Sequence, residues 1–270
     1  MDILKALLLG VIEGITEFLP VSSTAHLLVS EKVLGYKDTA EIFTVIIQFG
    51  ATVAAAWYFR KDLMYIIRSL IARDKAMTSF AGSVIIGILP AALVGLIVEK
   101  TVGLSDSLWL ISAMLILGGV VFILVENMSH KIPSKTGNVR YADITVKKSL
   151  LIGLAQCLSI IPGISRSGAT IMGGLLVGLD RKTATVFSFY LSIPIMVAAS
   201  ALKLANDHSA ISSISGGSSA LIVGLLSAFI TACISITWLL KYVSKKDFKP
   251  FAYYRIGLGL VFLVVLTVQN

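Results

Sequence analysis

The chain has 270 residues, 56% hydrophobic and 14% charged, with a mean hydropathy of +0.90. A soluble domain carries roughly 25% charged residues, so this composition excludes an ordinary water-soluble globule and describes a chain built for lipid. The formal charge of +8 does not point to nucleic acid, because the cations sit in short loops between apolar segments.

Residues 3–19 are apolar except for Lys5, Glu13, Thr16 and Glu17, and Pro20 interrupts them. The N-terminus has no long basic stretch and no small-residue cleavage site, so no removable signal peptide is expected. With Thr24 to Leu34, the pattern predicts two half-helices forming a re-entrant hairpin over 3–34. A polar loop follows from Glu31 to Glu41. Six stretches then approach the roughly 20 apolar residues a bilayer requires: 42–59, 80–98, 108–126, 184–204, 218–240 and 252–268. Between the third and fourth, residues 149–178 repeat the interrupted pattern and predict a second re-entrant hairpin. Residues 127–148 are polar and basic, and 209–219 form a short Gly/Ser-rich loop. Gln48 and Pro194 fall within crossings and are read as packing elements. Cys157 and Cys233 lie in apolar segments, as buried inert thiols rather than a disulfide framework.

If both hairpins enter and leave on one side, sixteen lysines and arginines share one face of the membrane and five the other. That asymmetry places the basic loops in the cytoplasm and both termini outside. Arg166 and Arg255 remain within the membrane.

The two interrupted stretches correspond at a shift of 143 positions: Gly10 meets Gly153, Glu13 meets Gln156, Thr16 meets Ser159 and Ser22 meets Ser165. At a shift of 144, Phe43 meets Phe187 and Val53-Ala54-Ala55 meets Val197-Ala198-Ala199. The expected fold is therefore an all-α integral membrane protein: six transmembrane helices plus two re-entrant helical hairpins in an inverted-topology repeat. The first repeat covers 1–127, a cytoplasmic linker 128–148, and the second repeat 149–270. Three crossings follow each hairpin, an odd number, so the second copy is inverted. Such repeats place their site near the midplane at the repeat interface.

Glu13 and Glu17 are four apart and share one helix face. Intramembrane carboxylates are costly and point to function, here a cation site or a base plus a cation ligand. The alternatives are a structural pair neutralised by Arg255 or Arg166, or an amphipathic helix lying in the interface. Ser23 and His26, three apart, suit an activated nucleophile and a proton carrier. Equally, Ser22 and Ser23 could only cap the half-helix while His26 bonds a carbonyl.

The run Pro162-Gly163-Ile-Ser165-Arg166-Ser167-Gly168-Ala-Thr170 reads as an anion cradle. Its glycines permit tight turns, its hydroxyls donate, and a helix starting here aims free N–H groups at an anion. Arg166 adds a planar fork that matches phosphate. Helix packing through small residues explains the glycines and serines but not Arg166. Arg255, beside Tyr253 and Tyr254, is read as a second anion contact, a counter-ion for the acids, or a side chain that snorkels to the surface. His130 and His208 lie in loops and carry no signal.

The motif Glu13-Gly-Ile-Thr-Glu17-Phe-Leu-Pro-Val-Ser-Ser23-Thr-Ala-His26, with Pro162 to Thr170, resembles the bacterial undecaprenyl-diphosphate phosphatase, or bacitracin-resistance, family. The resemblance extends over the whole chain, including Phe187 to Pro194 and Tyr254-Arg255. Ala25 departs from it, a Gly being common there. It implies a multi-pass enzyme of the bacterial cytoplasmic membrane that converts undecaprenyl diphosphate to undecaprenyl phosphate and inorganic phosphate. The lipid carrier then returns to peptidoglycan synthesis, and bacitracin resistance follows.

It further implies a divalent cation, Mg²⁺ or Ca²⁺, and a site open to the outer face. The site residues carried over are Glu13, Glu17, Ser22, Ser23, Thr24, His26, Ser165, Arg166, Ser167 and Thr170. The roles expected are catalysis by Glu17, Ser23, His26 and Arg166, metal binding by Glu13 and Glu17, and phosphate binding by Ser22, Thr24, Ser165, Arg166, Ser167 and Thr170. Partners are the prenyl diphosphate and membrane lipid, not nucleic acid; oligomeric state stays open, a homodimer being one arrangement. A transporter or lipid flippase would share the inverted repeat, but leaves Ser23, His26 and the cradle unexplained. A structural membrane scaffold would need neither Glu17 nor Arg166.

Overall fold

The computed structural model describes residues 2–36, 38, 41–101, 107–129, 141–206 and 217–269, all helix or connecting turn. Among these residues, five helices are long and apolar enough to cross a membrane, or six spans if the bent pair Ile42–Tyr58 and Arg60–Ile71 counts as one. The five are α5 (Lys75–Thr101), α6 (Leu108–Ser129), α9 (Arg181–Asn206), α10 (Gly217–Val243) and α11 (Lys249–Gln269). They occupy five of the six expected crossings, and each is longer than the sequence pattern alone marks out.

The sixth expected crossing, 42–59, is occupied by α3 (Ile42–Tyr58), 17 residues or about 25 Å of helix. After Phe59 the chain bends by 68° into α4 (Arg60–Ile71). The reason is local. Arg60-Lys61-Asp62 cannot continue into hydrocarbon, and Arg60 Nη1 turns back to the carbonyl of Trp57 at 2.8 Å while its guanidinium stacks on that indole.

Both interrupted stretches break as their prolines require. The first forms α1 (Ile3–Thr16) and α2 (Ser23–Val33). The second forms α7 (Val146–Cys157), a 3₁₀ turn over Leu158–Ile160, and α8 (Arg166–Leu176). Asp2 caps α1 by accepting the Lys5 N–H at 2.8 Å, and Thr145 caps α7. The expected linker 128–148 and loop 209–219, with His130 and His208, lie largely outside the described residues.

The chain divides into two compact units, each drawing on both expected repeats. The first comprises Met1–Leu19, Ser23–Leu63 and Ser192–Leu239. Its core joins Ala6, Leu9, Leu27, Phe43, Ile47, Ala220 and Ala228. Here α1 lies so close to α10 that a Cβ on Gly10 or Gly14 would strike the Gly224 or Ala228 carbonyl, the near approach that small residues four apart allow. The second unit comprises Pro20–Ser22, Met64–Leu191 and Leu240–Asn270. In it Phe80, Tyr141, Phe187 and Tyr190 form an edge-to-face cluster, closed by a contact between the Tyr141 and Tyr190 hydroxyls at 3.2 Å. Fully buried Glu126 accepts a forked pair from Arg181, the shortest contact 2.7 Å, and the Phe248 N–H at 2.9 Å. Cys157 and Cys233 are free, half-buried thiols.

Candidate active site

In the first unit, one turn of α1 separates Glu13 from Glu17, only 1% and 7% exposed. The chain leaves α1, turns at Pro20, and re-enters a helix at Ser23. That turn lets Ser23 Oγ donate to Glu17 Oε2 at 2.6 Å, a short charge-assisted hydrogen bond. The acceptor that Ser23 meets is thus Glu17. His26 lies three residues on, half-buried, and Thr24 is exposed. Ser22, buried, takes a left-handed φ of 72° immediately before α2.

In the second unit, α8 opens inside the glycine–serine–arginine motif. Ser165 is its N-cap, again left-handed at φ 75°, and its Oγ accepts the Gly168 N–H at 3.2 Å and meets Ser167 Oγ at 3.1 Å. Gly163 carries φ 95°, and any Cβ there would stand 2.8 Å from the Ile111 carbonyl. Arg166 is the first helical residue and is half-buried. Ser167 and Thr170 are each 1% exposed. Thr170 Oγ1 reaches the Arg166 carbonyl at 2.9 Å and meets Ser188 Oγ at 2.6 Å.

Arg255 behaves unlike any of its three expected roles. It is fully buried, so it does not snorkel. Nor is it a counter-ion, since its guanidinium donates to main-chain carbonyls: Leu115, Pro20, Ile164, Met114 and Gly163. Ser188 carries no role in the sequence reading, although its surrounding stretch, Phe187 to Pro194, belongs to the resemblance. The sequence signal for Arg255 is an intramembrane arginine with no acid nearby on its own helix.

Chemically, the first unit offers a hydroxyl held by a carboxylate, and the second a capped helix N-terminus with an arginine at its first position. Among the described residues no three His, Cys, Asp or Glu side chains gather to hold a metal. Two buried carboxylates are still hard oxygen donors of the number Mg²⁺ takes when phosphate oxygens and water complete its shell.

Residues 6–261 match the family model described as "Bacitracin resistance protein BacA". The chain is 43% identical over 264 residues to undecaprenyl-diphosphatase 1 of Paraburkholderia xenovorans, covering 97% of this chain and 94% of the relative. It is 43% identical over 266 residues to undecaprenyl-diphosphatase of Nitrosomonas europaea, covering 97% and 94%. With undecaprenyl-diphosphatase of Nitrosospira multiformis it shares 40% over 266 residues, again covering 97% and 94%. With matches of this extent, the chain belongs to the BacA family of multi-pass membrane proteins.

Proposed function

We propose that this protein is a membrane phosphatase that hydrolyses undecaprenyl diphosphate to undecaprenyl phosphate and inorganic phosphate. It thereby recycles the lipid carrier for cell-wall synthesis and confers bacitracin resistance. The observation that carries this reading is the 2.6 Å hydrogen bond from Ser23 to Glu17, a hydroxyl beside a base within an apolar chain.

Ser23 Oγ attacks the terminal phosphorus as Glu17 takes its proton. The bond from that phosphorus to the bridging oxygen breaks, and undecaprenyl phosphate departs with the electron pair. Water then attacks the phosphoserine, releasing inorganic phosphate and restoring the Ser23 hydroxyl; His26 carries protons for this exchange. Direct attack by water, with Glu17 as base, is the second route. Arg166, the Ser165 and Ser167 hydroxyls and the α8 N-terminus hold the anionic oxygens, with Ser22, Thr24 and Thr170 as further phosphate contacts. Glu13, joined by Glu17 where Glu17 is not the base, would hold Mg²⁺ or Ca²⁺, which when bound neutralises charge on the diphosphate.

The same reading takes both interrupted stretches as re-entrant hairpins of an inverted repeat in the bacterial cytoplasmic membrane, with the site open to the outer face. Two observations support the repeat. Ser22 and Ser165, matched at a shift of 143, share a left-handed φ ahead of helices of equal length, 11 residues each. Thr52 and Met196, matched at 144, touch at 3.6 Å from Oγ1 to Sδ. Equivalent residues of a two-fold pair meet only near the axis.

The test is phosphate release from a prenyl diphosphate by purified protein in detergent. The parent should turn over, Arg166→Ala and Glu17→Gln should not, and a chelator should abolish activity until Mg²⁺ or Ca²⁺ is restored. Vectorial lipid movement without hydrolysis would instead establish a transporter.

A further inference from the structure

The guanidinium of Arg255 spends all of its N–H groups on carbonyls. Nε donates to Leu115 O at 3.5 Å; Nη1 to Pro20 O at 3.3 Å and Ile164 O at 2.9 Å; Nη2 to Met114 O at 3.3 Å and Gly163 O at 3.0 Å. Five donors meeting five acceptors exhaust the fork. No donor is left for a substrate, so Arg255 is not a catalytic residue. Its acceptors are informative: Pro20 precedes the turn into α2, while Gly163 and Ile164 precede the turn into α8.

The shortest of these contacts fixes a peptide plane. In a trans peptide the C=O and the following N–H point in opposite directions, and the described residues contain no cis bond. Holding the Ile164 carbonyl against Arg255 therefore turns the Ser165 N–H away from it. Rotation of that same plane sets the φ of Ser165, which stands at 75°, a value a serine does not favour. Without the clamp the plane is free to flip, carrying off the Ser165 N–H and the cap that its side chain makes to Gly168. Phe122 supports the arrangement from the side. Arg255 Cζ stands 5.2 Å from its ring centroid, and a Cβ on Gly168 would come within 2.9 Å of its Cζ.

Gly118 leaves the room this requires. A Cβ there would stand 2.8 Å from Arg255 Cζ and closer still to Nη2. Gly257, on the helix that carries Arg255, faces open space.

We propose that Arg255 is a positioning residue: a carbonyl clamp that holds the turns at Pro20 and at Gly163–Ile164, and through Ile164 sets the backbone of the phosphate-binding N-cap Ser165. This rests on the phosphatase reading above. It makes the role of Arg255 one of shape, which lysine cannot fill, rather than one of charge, which lysine keeps.

The experiment compares the full-length parent with Arg255→Lys, Gly118→Ala and Gly257→Ala in detergent. It reads kcat and KM for a prenyl diphosphate, inhibition by inorganic pyrophosphate, and amide hydrogen exchange over 163–168. In Arg255→Lys and Gly118→Ala, KM and the pyrophosphate inhibition constant should rise together by about 10- to 100-fold, with faster exchange. Gly257→Ala should match the parent. Gly118→Ala keeps the test alive if Arg255→Lys does not fold, and alanine in mid-helix would otherwise be favourable. The clamp is overturned if both variants keep parental KM and inhibition, or lose only folded protein, or exchange faster with no change in either constant. A parent that hydrolyses nothing overturns the phosphatase instead, and the clamp then stands or falls on whether Arg255→Lys accelerates exchange.

Discussion

Ser23 donates its hydroxyl proton to Glu17 across 2.6 Å, although a helix end, a proline turn and a helix start lie between them. A bond this short between a half-buried hydroxyl and a buried carboxylate orients the Oγ lone pairs and supplies the proton acceptor together. Ser23→Ala and Glu17→Gln should each lower kcat by about 10²–10⁴-fold, measured as phosphate release at saturating substrate. Labelled phosphate should be trapped on Ser23 in rapidly quenched parent enzyme. Turnover by Ser23→Ala within tenfold of the parent would move the reaction to direct attack by water.

Ser22 and Ser165 are both left-handed at φ. Ser165 caps α8, so Ser165→Gly removes the cap but relieves the backbone, whereas Ser165→Ala removes the cap and keeps the strain. Thermal unfolding should therefore rank the parent first, Gly next and Ala last, with about 1–2 kcal/mol between the two variants. The same order of Gly above Ala is expected at Ser22. Equal stability of the Gly and Ala forms would contradict the assigned backbone.

Glu126 is fully buried and held by Arg181 and the Phe248 N–H. Arg181→Met leaves the carboxylate its backbone donor but no counter-ion. It should cost about 3 kcal/mol, as removing one partner of a buried pair does. Combining Arg181→Met with Glu126→Gln should recover much of that loss, read in a double-mutant cycle by denaturation in detergent.

Glu31 lies in the last turn of α2, outside the candidate spans. Burial, reinforced by the neighbouring Asp38 carboxylate, pushes its carboxyl from 4.5 up to about 7. The folded protein thus keeps this proton to near pH 7, while the unfolded chain releases it near pH 4.5. Between those values the native state binds more protons, so stability falls as pH rises through the window, and the penalty is complete above pH 7. Because Glu31 is only half-buried, solvent screening reduces the effect. Glu31→Gln should raise the unfolding temperature at pH 8 by about 2–4 °C and leave it nearly unchanged at pH 4. A shift of equal size at both pH values would rule out this titration.

Much of the architecture was legible in one dimension because lipid imposes a length rule. Apolar runs of nearly 20 residues marked five helices, and Pro20 and Pro162 marked the breaks in the two interrupted stretches. The extent of α3 was legible, but the sharp bend after it was not, since a run of apolar residues does not reveal where Arg60 will turn the helix. In the two motifs, the residue types at Glu13, Glu17, Ser23, Arg166 and the neighbouring serines carry their chemistry in their identities and helical spacing. Left-handed serines do not, because serine is not the residue that signals a positive φ.

The sequence by itself determined the membrane class, the paired acids, and the hydroxyl and arginine motifs. Only the tertiary structure decided that Glu17 accepts a hydrogen bond from Ser23, that Thr170 meets Ser188, and that Arg255 spends its fork on carbonyls. The physical reason is that hydrogen bonds depend on direction over a few ångströms. Composition and period specify which face a residue occupies, whereas a partner from a distant helix is chosen only when packing brings donor and acceptor within reach.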